Sequence, residues 1–143
     1  MTLTETPVGY EHGTVAEAMT PGVITCPPET PLRAVAQTMA HHRVHSIVVH
    51  ETGDDGHWGV VSDLDLITGA LSGFDETTAG AAAASPPLTV APLESLANAG
   101  QLMRENATSH LLVVDEHHGR PVGILSTLDL AHAIASDTPR NGR

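Results

Sequence analysis

The sequence predicts an α/β fold of the α+β kind, built from two tandem β-α-β-β-α repeats. Three observations carry this expectation. The stretches GVVSDLDL (59–66) and GILSTLDL (123–130) nearly repeat one another. A shift of 64 positions aligns residues 14–71 with 78–135 without a gap, as a duplicated structural unit requires. Within each copy the apolar pattern alternates between helical spacing and runs of strand length.

The elements follow in order. TVAEAMT (14–20) and TAGAAAA (78–84) are short helical lead-ins. GVITCPP and PLTVAP are short strands stopped by prolines, which cannot donate to a ladder. In TPLRAVAQTMAHH the apolar residues Leu32, Val35, Ala36 and Met39 have helical spacing, with Thr30 expected as N-cap and Pro31 in the first turn. Its counterpart, SLANAGQLMREN, puts Leu96, Ala99 and Met103 on one face. SIVVHE and HLLVVDE are strands that turn through TGDDG and EHHGR into the return strands HWGVVS and PVGILS, giving hairpins. DLDLITGALS and TLDLAHAIAS close the repeats as helices. The division expected is an extension over 1–13, repeat 1 over 14–72, a connector over 73–77, repeat 2 over 78–136 and a disordered tail over 137–143. A unit of about 58 residues has a marginal core by itself. The two copies are therefore expected to pack through their sheets with pseudo-two-fold symmetry.

Composition narrows the function. The chain has 143 residues, net charge -11, no lysine and six Lys+Arg in all, every one an arginine. Nucleic-acid binding depends on clustered cations that neutralise phosphates, and an anionic membrane surface makes the same demand; neither is expected. No apolar run approaches a membrane span, and the first residues, MTLTETPVGYEHG, lack the basic and apolar segments of a secretory signal. A single cysteine, Cys26, fits a reducing compartment, so a cytoplasmic location is expected.

The repeated Ser-x-x-Asp is the chemical signal. Ser62 and Ser126 stand at strand-to-helix junctions, where free backbone N–H groups and the helix dipole favour a phosphate. Asp65 and Asp129 follow one turn later, and a carboxylate suits the paired hydroxyls of a ribose. The same spacing is also a capping box, in which Ser and Asp only start the helix. Both roles can coexist.

A short strand carrying Thr with a proline soon after, a helix ending near Met, then a hairpin leading to G-h-h-[ST]-x-x-D resembles the CBS domain. The two copies together resemble a CBS pair, or Bateman module, over about residues 14–136. The resemblance implies a regulatory sensor, not an enzyme, that takes an adenosine-containing ligand (AMP, ADP, ATP, S-adenosylmethionine or NAD) between the repeats, with no required cofactor. It also implies a homodimer forming a four-repeat disc and an effector protein elsewhere. It assigns Asp65 and Asp129 to ribose and Ser62 and Ser126 to phosphate. Thr25, Cys26, Thr89 and Val90 line the base. The segments entering the second strand, with Val44, His45 and Ile47 in repeat 1 and Thr108, Ser109 and Leu111 in repeat 2, close its pocket.

The chain departs from that pattern in three ways. Val48 and Leu112 stand where many repeats carry proline, Leu64 and Leu128 where a basic residue often precedes the aspartate, and lysine is absent. With Arg43, Arg104 and Arg120 as the main non-terminal cations and Arg33 on a helix, a triphosphate would add about four negative charges to an acidic chain. A low-charge ligand, AMP or S-adenosylmethionine, is expected over ATP. Asp63 faces Thr127 across the alignment, so the second site is expected to accept a phosphate better.

Two other features yield weaker expectations. His41, His42 and His45 are candidate zinc or nickel ligands at a helix end, where protonated histidines also suit the dipole. Cys26 aligns with Val90 and reads as a small hydrophobe. The competing functions are an interaction or oligomerisation module that binds no nucleotide, and a histidine-based metal protein.

Overall fold

A computed structural model of the protein describes residues 9–51, 58–83 and 86–137. The turn TGDDG, the first eight residues and the tail beyond Asp137 lie outside them. In chain order the elements are α1 (Val15–Ala18), β1 (Thr20–Pro21), β2 (Thr25–Cys26), α2 (Leu32–His42), β3 (Ser46–His50), β4 (Trp58–Ser62) and α3 (Asp63–Gly69), which runs on into a 3-10 turn (Ala70–Ser72). Then come α4 (Ala79–Ala82), β5 (Thr89–Val90), α5 (Leu96–Asn106), β6 (His110–Asp115), β7 (Arg120–Ser126) and α6 (Thr127–Ser136). No helix among the described residues is long and apolar enough to cross a membrane.

The chain forms two compact units that do not coincide with the sequence repeats. A central unit spans Val23–Pro87; a split unit joins Met1–Gly22 to Leu88–Arg143. In the central unit β2 runs parallel to β3, and β3 pairs antiparallel with β4 from Ser46↔Ser62 to His50↔Trp58. Its core is Leu32, Val35, Met39, Ile47, Val49, Val61 and Ala79. In the split unit the sheet order is β1-β7-β6-β5. Its core includes Leu96, Met103, Leu111, Val113 and Leu125, and it also takes Val15 from the lead-in of repeat 1.

The lead-ins are thus exchanged. Backbone bonds show how: Val15 and Ala16 donate to the carbonyls of Glu94 and Pro92 in the split unit, while Ala79 and Gly80 donate to those of Thr30 and Pro28 in the central one. Each lead-in helix has only four residues, too few to persist in water unaided. It forms by seating one buried residue, Val15 or Ala79, both fully buried, in the core it joins. Thr20, expected at the end of a lead-in helix, instead belongs to β1, which pairs with β7 through Thr20↔Ile124 and Pro21↔Gly123. The helix stops at Ala18 because the chain turns extended at Met19, with ψ of 158°.

The start of α2 also differs from expectation. Pro31, not Thr30, is the N-cap, and no side chain caps it. The connector replaces the cap, since the Leu32 and Arg33 amides donate to the carbonyls of Thr77 and Phe74. Arg33 holds Asp75 from the same connector at 2.7 Å. In repeat 2 a side-chain cap is present, Ser95 accepting from the Asn98 amide.

Helices α2 and α5 end alike, on Arg43 (φ 55°) and Ala107 (φ 50°) in the left-handed region without glycine. A residue with a Cβ is strained there by about 1 kcal/mol. Ala107 is exposed, so Ala107→Gly is expected to raise stability by about 0.5–1 kcal/mol, readable as a higher denaturation midpoint.

Candidate functional site

The two Ser-x-x-Asp motifs fold into the same device. β4 ends at Ser62 and β7 at Ser126, and each serine is the N-cap of the helix that follows at once. Ser62 Oγ accepts from the Asp65 amide at 3.3 Å, and the Ser62 amide donates to Asp65 Oδ2 at 2.8 Å. In repeat 2 the corresponding distances are 3.2 and 2.9 Å. These are reciprocal capping boxes, which hold serine and aspartate rigidly side by side. The Asp63 and Thr127 amides are taken by the carbonyls of His45 and Ser109. That bond ties the helix start to the segment entering β3 or β6. Ser62, Asp65, Ser126 and Asp129 are all half-buried.

The boxes use Oδ2 of each aspartate; among the described residues no partner engages Oδ1. The local electrostatics differ between repeats. Asp63 Oδ1 accepts from the Leu64 amide at 2.8 Å, and Asp63 Oδ2 lies 3.1 Å from His45 Nδ1. Thr127 places no carboxylate at the start of α6, and Ser109 bonds His110 Nδ1 instead. The second junction therefore carries one negative charge fewer.

Strand alternation sorts the remaining predicted residues into two sets. Thr25 stands opposite Val48 and Ser62 opposite Ser46, so they flank β3 two residues apart, about 7 Å along the strand. Thr89 and Ser126 repeat this about β6, opposite Leu112 and His110. Thr25 and Thr89 are exposed. Val44 and Thr108 are half-buried and His45 and Ser109 exposed beside the helix starts. Thr108 Oγ1 donates to the His110 carbonyl.

Four predicted site side chains, Cys26 and Val90 expected to line the base and Ile47 and Leu111 expected to close its pocket, face the cores. Ile47 is 1% exposed, Leu111 0% and Val90 9%, each a member of its unit's core. Cys26 packs against the central core. Cys26 and Val90 adjoin Thr25 and Thr89, and Ile47 and Leu111 pair across the hairpins with the buried Val61 and Leu125, so all four point to the opposite, helix-covered face of their sheets. A ligand on the Thr25–Ser62 face meets these four only through backbone. Burial pushes the Cys26 thiol up from its ordinary range and the Glu29 charge adds to this, against a lowering by the Thr30 hydrogen bond. The thiol stays protonated, as suits a packing residue.

The histidine cluster does not assemble. His41 and His42 meet edge to face at 4.9 Å, and His45 is directed to Asp63. Among the described residues no group of three or more metal-ligating side chains converges.

One concavity escaped the sequence reading. An open groove of about 470 Å³ lies at the far end of β4 from Ser62, between Trp58, Gly59 and Val49 on the sheet and Ala83 after α4. None of the predicted ligand residues lines it.

Comparison with known proteins completes the description. The CBS domain model matches residues 15–71 and 79–136. No curated protein matches the chain. Among solved structures, a CBS domain protein from Pyrobaculum aerophilum complexed with AMP is 25% identical, with a TM-score of 0.73 over 87% of this chain and 100% of that one. CBSX2 in complex with AMP is 26% identical, with a TM-score of 0.68 over 85% and 96%. A hexameric CBS-CP12 protein from bloom-forming cyanobacteria is 18% identical, with a TM-score of 0.77 over 83% of this chain and 66% of that one; it shares the fold.

Proposed function

The chain belongs to the CBS-domain family as a tandem pair, and we propose that it is a regulatory module binding an adenosine-containing ligand at its Ser-x-x-Asp junctions. One observation carries the proposal: both aspartates hold their capping boxes through Oδ2, and among the described residues nothing engages their Oδ1 atoms. A ribose hydroxyl is a donor for such an atom, and the rigid box presents the carboxylate without a further ordering cost. Two solved relatives in complex with AMP, at 26% and 25% identity, support the ligand class.

Charge selects within that class. The chain stands at -11, and Arg33 is already committed to Asp75. AMP or S-adenosylmethionine suits this balance better than ATP, whose extra phosphates find few cations. The second junction, with Thr127 in place of Asp63, is the better phosphate site.

Thermal unfolding tests the proposal. AMP at about 100 times its dissociation constant stabilises by about 2.7 kcal/mol. The increment is expected to fall more in Asp129→Ala than in Asp65→Ala. ATP without Mg²⁺ should stabilise less than AMP at equal concentration. A flat response to every adenosyl compound would leave the junctions as helix caps and the chain as an interaction module.

The exposed apolar residues support self-association. Leu64 and Ile67 on α3 are 65% and 67% exposed, and Leu128 and Ile134 on α6 54% and 56%. A monomer would leave these side chains in water. A homodimer joined through these helices is expected to sediment as a monomer when Leu64 and Leu128 are changed to Glu.

A further inference from the structure

We infer that Tyr10 is a positioning residue of the second junction: the segment ahead of α1, residues 9–13, holds α6 in place, so that its seat and a ligand at Asp129 stabilise each other. This role rests on the nucleotide reading above and gives the second site a regulatory arm.

The duplication reaches further back than the lead-in helices. Gly9 and Tyr10 correspond to Gly73 and Phe74 across the 64-residue shift. Each aromatic packs against the core that its lead-in joins, Tyr10 on the split unit's and Phe74 on the central one's. The chain that follows is tied down in the same way twice. The Leu96 amide donates to the Gly13 carbonyl and the Leu32 amide to that of Thr77, both at 3.0 Å.

The two copies differ in how the aromatic is received. Gly100 on α5 stands where α2 has Ala36. A Cβ at Gly100 would overlap Tyr10 Oη and would lie 3.3 Å from Tyr10 Cζ and 3.4 Å from Leu130 Cδ1. The tyrosine hydroxyl thus takes the space that the absent methyl leaves, at a position where glycine by itself weakens the helix. The split unit has tyrosine with glycine, the central unit phenylalanine with alanine.

This seat reaches the site through α6. Tyr10 and Leu130 close on Gly100 together, and Leu130, 8% exposed, anchors the first turn of α6 in the split core. Leu130 directly follows Asp129, whose box with Ser126 fixes its carboxylate to that same turn. A shift of Leu130 therefore carries the carboxylate with it. At the other end of α6, Gly9 backs onto the C-cap Asp137 so closely that a Cβ would overlap its Oδ1. The segment thus engages both ends of a ten-residue helix, about 15 Å apart. In the central unit the corresponding Gly73 backs onto Glu76 of its own connector instead. A ligand that needs α6 in this position favours the seated segment, and by linkage the seated segment favours the ligand by the same factor.

The test uses the full chain with AMP as the probe. Amide NMR shifts at Ser126 and Asp129 report the second junction, and those at Ser62 and Asp65 the first. Tyr10→Ala is expected to weaken AMP at the second junction about fivefold or more, as a coupling of ordinary size does, and to leave the first unchanged. Gly100→Ala raises helix propensity yet should weaken the second junction likewise, because it displaces the ring. Tyr10→Phe combined with Gly100→Ala installs the pair of the central unit and should restore affinity. Reciprocally, AMP should slow hydrogen exchange at the Val15 and Leu96 amides, and should fail to do so in Asp129→Ala. Affinity at the second junction that is unchanged in Tyr10→Ala, or that falls equally at both junctions, overturns the positioning role and leaves the nucleotide reading standing. So does failure of Tyr10→Phe to rescue Gly100→Ala. Absence of AMP shifts at both junctions in the parent protein overturns the two together.

Discussion

Leu111→Ala is expected to lower the unfolding free energy by about 2–5 kcal/mol, among the largest effects of any single substitution in the chain. Leu111 is fully buried, at the centre of a core that also holds Leu96, Met103, Val113 and Leu125. Truncation there removes the transfer energy of the side chain and leaves a cavity between sheet and helices that close packing cannot fill. A domain of this size has about 5–15 kcal/mol in total, so a urea midpoint would fall sharply. The measurement also separates two roles. If Leu111 lined a base pocket with its side chain, the truncation would also weaken AMP binding and shrink its stabilising increment. A core residue predicts that AMP adds the same increment to variant and parent.

Deleting residues 1–22 is expected to loosen repeat 2 more than repeat 1, although it removes sequence belonging to repeat 1. Val15, 0% exposed, sits in the split unit's core. Its burial alone stabilises by about 1.5–3 kcal/mol. The β1–β7 pairing and the bonds to Glu94 and Pro92 disappear as well, at about 1 kcal/mol net for each hydrogen bond. Hydrogen exchange should accelerate in β7, α5 and α6 and change little in β3 and α2. Faster exchange in β3 and α2 instead would mean that the lead-in supports its own repeat.

Legibility in the sequence followed the range of the interaction involved. The hairpins and the two long helices rest on local periodicity, and both boundaries of α6 (Thr127–Ser136) coincide with the expected helix. The Ser-x-x-Asp boxes were equally readable, because all their partners lie within three residues. The strand β1 was not readable. Thr20 and Pro21 carry no strand pattern of their own and become one only by meeting β7 more than 100 positions away. The cap of α2 was misplaced for a similar reason, since its first amides are satisfied by the carbonyls of Phe74 and Thr77.

The candidate site divides along the same line. Sequence alone determined the duplication, the acidic balance, and the serine and aspartate at both strand-to-helix junctions. Each of these is a count, a spacing or a contact between near neighbours. Tertiary structure alone decided that Ile47 and Leu111 turn to the helix-covered faces, and that the lead-ins exchange cores. It also decided that the exchange seats a methionine over Gly123. Which face of a strand is covered, and by which segment, depends on partners distant in the chain, and no local pattern records them.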